Sequence, residues 1–381
     1  MKDNKYDIAI IGGGIVGLAH AYFAVERGLK VVLFERNQFS LGASIRNFGL
    51  IWPIGQNPEF YGVAMKGRNA WTSLSTKAPF GLKENGSLHL AYHEDEWAIL
   101  NDFVSGSEFS SYDAELISPD EIKNKFPHIE SKGLFGGLLS HTECTVDPRE
   151  AVKALAAYLK SRGVDIRFGK TVTNISMPTI STFDEGVQAE NVIVCSGADF
   201  ETLYPDLMQS SPLTKCKLQM MRTHPVSIDL GPSLCAGLTL RHYDAFSECP
   251  SVSKMSQRFD TSDPDFKKHG VHVLVSQNNA GELVIGDSHE YADDLYPFDQ
   301  TEIDNLILDY LRTFFSFKDF KITEKWHGIY PKVTNGATHF KIEPEENVLI
   351  VNGLGGAGMT LSFGLAAENI EKMLHKQKVD H

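Results

Sequence analysis

The chain has 381 residues, 42% of them hydrophobic and 22% charged, an ordinary globular composition at a length that suggests two lobes. Its net charge of −13, with no run of five like charges, excludes a surface that would track a nucleic-acid backbone or an anionic membrane. The five cysteines, Cys144, Cys195, Cys216, Cys235 and Cys249, are scattered and never spaced CxxC, which argues against a disulfide framework or a zinc site and for a reducing compartment.

The opening MKDNKYDIAIIGGG breaks into glycines without the long apolar region and cleavage site of a secretory signal, so a cytoplasmic location is expected. No stretch approaches the roughly 20 apolar residues of a membrane span. Tyr6 to Ile11 reads as a buried strand, Gly12 to Gly17 as a turn, Leu18 to Arg27 as a helix and Lys30 to Glu35 as a second strand, together one βαβ unit. Pro58 to Ser75 has helical spacing, Ser87 to Tyr92 alternates like a strand, and Glu94 to Val104 is helical again. Ser118, Pro119 and Glu121 form a helix start with a capping hydroxyl and a reciprocal carboxylate, and Asp147, Pro148 and Glu150 repeat it before Ala151 to Lys160.

Strands are expected at Val164 to Phe168, Thr171 to Ser176, Val192 to Cys195 and Leu213 to Thr223, and a hairpin at Val271 to Ser276 with Glu282 to Gly286. Asp299 is placed to cap a helix whose Ile303, Leu306, Ile307, Tyr310, Leu311 and Phe314 make one apolar stripe. Asn347 to Asn352 is a last strand, Gly353 to Gly358 a glycine turn and Met359 to His375 the closing helix. The expected fold class is α/β: a discontinuous Rossmann-type nucleotide domain from residues 1–80, 142–210 and 326–381, with a second α+β domain from 81–141 and 211–325 on a mostly antiparallel sheet.

Gly12, Gly14 and Gly17 spell GxGxxG directly after a strand and at the opening of a helix, and Glu35 ends the next strand. That context identifies a dinucleotide site. Glycines admit close backbone approach, the helix N-terminus favours the pyrophosphate charge, and Glu35 accepts from ribose hydroxyls, with Arg36 beside the adenine. This turn alone does not separate FAD from NAD, but two further loops do: GASIRNFG, Gly42 to Gly49, suits the run along the pyrophosphate to a flavin ring, and NGLGGAGMT, Asn352 to Thr360, aims backbone N–H groups and a helix end at the flavin pyrimidine.

These residues, together with VIVCSGA at Val192 to Ala198 and WHGIYPKV at Trp326 to Val333, resemble the D-amino-acid oxidase, glycine oxidase and sarcosine oxidase family of FAD-dependent amine oxidoreductases. Besides the Gly12, Gly14 and Gly17 turn, the resemblance implies FAD contacts from Ile15, Val16, Glu35, Arg36, Ala43, Ser44, Asn47, Gly49, Leu50, Val172 and Gly197, and from Leu354, Gly355, Gly356, Ala357, Gly358, Met359 and Thr360. Where some relatives tether flavin to a histidine or a cysteine, this chain has Arg46 and Gly328, so FAD is expected to be noncovalent. The implied reaction moves a hydride from the carbon beside nitrogen to flavin N5, after which water hydrolyses the imine; oxygen or another acceptor then takes the electrons. No catalytic acid–base dyad is required, and none is assigned.

Members acting on amino acids often read WxGxRP, whose arginine clamps a carboxylate; here Tyr330 stands at that place. The segment Ala43 to Gln56 is similar to a subgroup associated with aminophosphonate breakdown, which implies a 2-aminoethylphosphonate derivative, N-methylated in some cases, as substrate. The candidates for its anion are Arg46, Lys217, Gln219, His327, Tyr330 and Lys332, with Lys217 and Gln219 preferred, and Arg222, Arg241 and His242 behind them. Phe48, Trp52 and Tyr243 are candidate pocket walls, and His224, His242 and His289 show no metal spacing, so no metal is expected. The alternatives are an oxidase or dehydrogenase of glycine, sarcosine or a D-amino acid, a noncatalytic escort protein with a nucleotide fold, and an NAD-dependent dehydrogenase.

Overall fold

The computed structural model describes residues 5–379, so Met1 to Asn4, part of the segment read against a secretory signal, lie outside the described residues. Ile8, Ala9 and Ile10 are fully buried, and a strand apolar on both faces calls for a parallel sheet covered by helices. Lys5–Ile11 accordingly lies at the centre of an eight-stranded sheet, parallel to Val31–Glu35 on one side and to Gly186–Val194 on the other. Asp165–Phe168 extends one edge in parallel. On the other edge, the second half of Gly186–Val194 takes Val348–Asn352 in parallel, and its first half turns back antiparallel through Thr179–Thr182 to Val172–Ser176.

Helices Ile15–Glu26 and Pro148–Ser161 cover this sheet together with the last helix, Gly358–Val379. The last helix also crosses Pro58–Ser75 with backbones touching: a Cβ at Gly67 would stand 2.2 Å from the Thr360 carbonyl, and one at Gly364 would stand 2.2 Å from the Val63 carbonyl. Trp71 Nε1, wholly buried, donates to the Met359 carbonyl at 2.8 Å. These contacts bring the C-terminal glycine turn back onto the N-terminal βαβ unit.

The second sheet has nine strands, mostly antiparallel. Leu213–Pro225 is its long strand, paired along its length with Ile322–Val333 and, on the other edge, with Glu282–Gly286 and Glu290–Ala292. The sheet continues through Val273–Gln277, Ser233–Ala236, Ser87–Ala91, Gly136–Ser140 and Ala114–Ile117, with one parallel step between Ser233–Ala236 and Ser87–Ala91. Helix Thr301–Phe314 buries Ile303, Ile307, Leu311 and Phe314 against it. A small sheet of Leu50–Ile51, Cys144–Val146 and Leu82–Lys83 completes the strands.

Three local expectations change. Ile322–Val333 belongs to the nine-stranded sheet, so the expected return to the nucleotide lobe at residue 326 falls inside a strand of the other sheet. Asp299 does not cap the next helix: Gln300 takes the cap position without a side-chain bond, and Asp299 pairs with Lys217 at 3.0 Å and with His327 at 2.9 Å. Asp147 does cap Pro148–Ser161, through Arg149 N at 3.0 Å rather than in a reciprocal pair with Glu150; the reciprocal box forms at Ser118 and Glu121.

Candidate active site

A cavity of about 670 Å³ runs from the first glycine turn, past the loop at residues 40–50, to the sheet of the second lobe. At one end the turn is fixed by contacts that only glycine allows. Gly12 has φ +111°, and a Cβ there would stand 2.2 Å from the Cys195 carbonyl; a Cβ at Gly17 would stand 1.9 Å from the Gly12 carbonyl. Helix Ile15–Glu26 begins with no side-chain cap of its own, and Ile15 N donates to Ser44 Oγ at 2.9 Å, which ties the helix end to the second loop. Glu35 is held at the strand end by Gly13 N and Asn37 N, each 2.9 Å away, and it lines the cavity.

The middle of the cavity is formed by Ala43, Ser44, Asn47 and Leu50 on one side and by Leu354 to Thr360 on the other. Asn47 shapes its own loop, donating to the carbonyls of Ala43 and Ser44 and accepting from Gly49 N at 2.7 Å. Trp52 N donates to Thr360 Oγ1 at 2.9 Å, and Lys332 bridges to Leu354 through the backbone. Three stretches far apart in sequence therefore line one continuous channel. Its glycine cradle, its helix end without a side-chain cap and its acidic strand end match what a dinucleotide requires, so the residues present fit FAD.

The inner end is walled by Phe48, Trp52, Tyr243, Met220 and Tyr330, and by a polar group of His242, His272, Asp287 and His289. The rings of His242 and His272 are 4.0 Å apart, those of His242 and His289 4.5 Å, and those of His272 and His289 4.9 Å and nearly parallel. Asp287 Oδ1 lies 3.3 Å from His272 Nε2. Burial pushes all three imidazoles toward the neutral form, His289 down to about 4, and lifts the Asp287 carboxyl well above the usual carboxylate range. Burial likewise raises the phenols of Tyr243 and Tyr330, which stay protonated.

Several expected residues take other places. Lys217, 1% exposed, spends its ammonium on the carbonyls of Tyr296 and Phe298, at 3.0 and 2.6 Å, and on Asp299. Gln219 donates to Gln300 O and Asp304 Oδ1 and accepts from Gln300 N. The preferred anion pair therefore faces away from the cavity and anchors the segment before helix Thr301–Phe314. Arg222 pairs with Glu324 and lies over Trp326, and His327 bonds Asp299. Gly17, Gly49 and Val172 support the channel without lining it; Val172 is packed in the core beneath it.

Arg46 lines the channel, its guanidinium donating to the His327 carbonyl at 3.3 Å, and Lys332 sits over the Tyr291 ring at 5.5 Å. The sequence reading missed His272 and Asp287 and set His289 aside for lack of metal spacing. Spacing along the chain was the wrong measure, because the fold gathers His242, His272 and His289 from three segments, with one ring nitrogen from each within 4.8 Å of the others. The hairpin register does not signal it: continuing the Leu274 to Gly286 register outward sets Val273 opposite Asp287, and the backbone hydrogen bonds that His272 and Asp287 exchange at 2.9 and 3.2 Å are shifted by one residue from it.

With the geometry in place, the chain can be compared with known proteins. It is 21% identical over 360 residues to glycine oxidase from Bacillus licheniformis, covering 91% of this chain and 86% of that one. It is 25% identical over 249 residues to D-amino acid dehydrogenase from Helicobacter pylori, covering 51% of this chain and 60% of that protein, so the match spans three fifths of that relative. Its fold matches the crystal structure of glycine oxidase from Geobacillus kaustophilus with a TM-score of 0.79 at 18% identity, over 98% of this chain and 95% of the other. It matches L-proline dehydrogenase from P. horikoshii with a TM-score of 0.79 at 21% identity, over 97% and 94% of the two chains. Among the described residues no helix is long and apolar enough to cross a membrane. A model of the DAO family, FAD dependent oxidoreductases, matches residues 7–371, and the chain belongs to that family, an oxidoreductase with FAD as its cofactor.

Proposed function

We propose that this flavoenzyme oxidises the C–N bond of a small amine carrying an anion at its far end, an aminophosphonate of the 2-aminoethylphosphonate type, N-methylated or not. FAD, when bound, supplies the two-electron acceptor for the hydride beside nitrogen. The chain's own residues do the rest: the channel fixes the ring's position, Phe48, Trp52 and Tyr243 wall the chamber, and the polar group beyond them binds the anion.

The observation that carries this reading is Tyr330. It is buried in the chamber wall at the place where amino-acid-oxidising relatives carry an arginine clamp. The two arginines of the lining are engaged elsewhere, Arg36 with Asp199 at 2.8 Å and Arg46 with the His327 carbonyl. A chamber with tyrosine in place of the fork, and with histidines and Lys332 nearby, suits an anion of higher charge and tetrahedral shape better than a planar carboxylate.

Likeness to glycine oxidase and to D-amino acid dehydrogenase favours a second reading, with a carboxylate amine as substrate. Steady-state turnover with an artificial electron acceptor separates the two. The proposal expects 2-aminoethylphosphonate or its N-methyl derivative to be turned over with a kcat/KM at least tenfold above that of glycine, sarcosine or a D-amino acid. The reverse order overturns it.

A further inference from the structure

We propose that His242, His272 and His289 form a three-pronged receptor for a tetrahedral oxyanion, the phosphonate group of the substrate. This rests on the aminophosphonate reading above and assigns its recognition to residues that the family's carboxylate clamp does not use.

The bonding of the cluster is unmet. Both ring nitrogens of His272 and Oδ1 of Asp287 are buried without a hydrogen-bond partner, in two residues that line a cavity. Buried polar groups are nearly always satisfied, and a cluster of unsatisfied ones facing a cavity marks a ligand position. His289 Nδ1 lies 3.1 Å from the Gly270 carbonyl, which only accepts, so that nitrogen carries the proton and Nε2 is left for a ligand.

The spacing fits as well. One ring nitrogen from each histidine lies within 4.8 Å of the others, close enough for the three to reach different oxygens of one tetrahedral headgroup. His272 stacks on His289 at an interplanar angle of 18°, and His242 tilts against the two at 33° and 44°.

Charge also favours an anion. Arg241 and Lys332 are near enough for their charges to oppose protonation of His242 and His272, and Lys332 opposes that of His289, so positive potential converges on the chamber. Cys216, Tyr243, Tyr291 and Tyr330 face the same group as neutral thiol and phenols, and the Asp244 carboxyl is near enough to Lys332 to feel its charge. Asp287, 3.3 Å from His272 Nε2, does not repel an anion while burial keeps it protonated. A dianion entering this site reverses the balance that keeps the imidazoles neutral, because the His289 nitrogen facing the ligand donates only after gaining a proton. Binding therefore draws protons from solvent.

The test uses the oxidised, flavin-loaded protein with inorganic phosphate, methylphosphonate and acetate, followed by the visible flavin spectrum and by calorimetry in buffers of different ionisation enthalpy. Phosphate and methylphosphonate are expected to bind with net proton uptake, and acetate at least tenfold more weakly. His272→Asn and, separately, His242→Asn are expected to weaken phosphate binding at least tenfold, with flavin content and melting temperature showing that each variant is folded. Because the two histidines lie on different segments, loss of one variant to misfolding leaves the other decisive. Unchanged phosphate affinity in a folded variant, acetate binding as tightly as phosphate, or a stoichiometric metal in the purified protein each overturns the receptor. Flavin reduction by an aminophosphonate without phosphate binding overturns this inference and leaves the proposed reaction standing; phosphate binding with proton uptake but no aminophosphonate turnover does the opposite.

Discussion

Asn352 Nδ2 donates to the carbonyl of Gly197 at 2.9 Å, and Asn352 Oδ1 accepts from Gly353 N at the same distance. One side chain thus joins the loop after Gly186–Val194 to the start of the C-terminal glycine turn. Asn352→Ala leaves the Gly353 N–H and the Gly197 carbonyl without these partners and should cost about 1–2 kcal/mol. The loss should appear as reduced flavin retention on gel filtration together with a lower melting temperature, and the melting temperature should recover more than in wild type when FAD is added in excess.

At the other glycine turn the effect should be larger. Gly12→Ala would place a methyl 2.2 Å from the Cys195 carbonyl at a φ of +111°, so the turn must open, at a cost of about 2–4 kcal/mol. The purified variant should be colourless or nearly so. Full flavin content in Gly12→Ala would contradict the cradle as described.

Lys217 separates a structural from a binding role. Its ammonium holds two backbone carbonyls and Asp299, so Lys217→Met should destabilise the protein by about 2–4 kcal/mol and make the 293–300 segment more sensitive to protease, while KM changes less than threefold. A stable variant with a strongly raised KM would return Lys217 to the substrate.

His20 supplies a pH dependence. It is fully buried, with Nδ1 2.7 Å from the Val16 carbonyl and Nε2 3.0 Å from Asn369 Nδ2, so it links the first helix to the last, and burial holds it down to about 4 from 6.5. The unfolded chain therefore binds the proton first, and this contribution is full above pH 6.5 and lost as pH falls toward 4, by about 3 kcal/mol. Chemical denaturation across that range should show a shallower acid-side loss in His20→Gln than in wild type.

Tyr330→Arg restores the fork to the chamber wall. It should raise kcat/KM for glycine or sarcosine and lower it for aminophosphonates, so that their ratio moves at least tenfold. An unchanged ratio would detach Tyr330 from substrate choice.

Much of the nucleotide-binding half was legible in the chain, because its signals are local. A buried apolar strand, a GxGxxG turn and an acid at the end of the next strand each depend on neighbours a few residues away, and Lys5–Ile11, Gly12, Ile15–Glu26 and Glu35 stand where the pattern puts them. The anion end was not legible in the same way. Alternation correctly set Lys217 and Gln219 on one face of their strand, but which face meets the cavity depends on how the 293–300 segment folds back, and it folds over those two side chains. Asp299 was read as a helix cap from position alone, and a buried ammonium outcompeted that local bond. His242, His272 and His289 come together only through the register of a hairpin and the packing of a short helical turn beside it, and spacing along the chain encodes neither.

The most direct measurement is anaerobic mixing of the purified, flavin-loaded protein with a panel of amines, read at the oxidised flavin absorbance. The account predicts a yellow protein whose flavin is bleached by 2-aminoethylphosphonate or its N-methyl derivative and far more slowly by glycine, sarcosine or D-amino acids. A colourless protein that ignores added FAD, or a flavin bleached only by carboxylate amines, would contradict it.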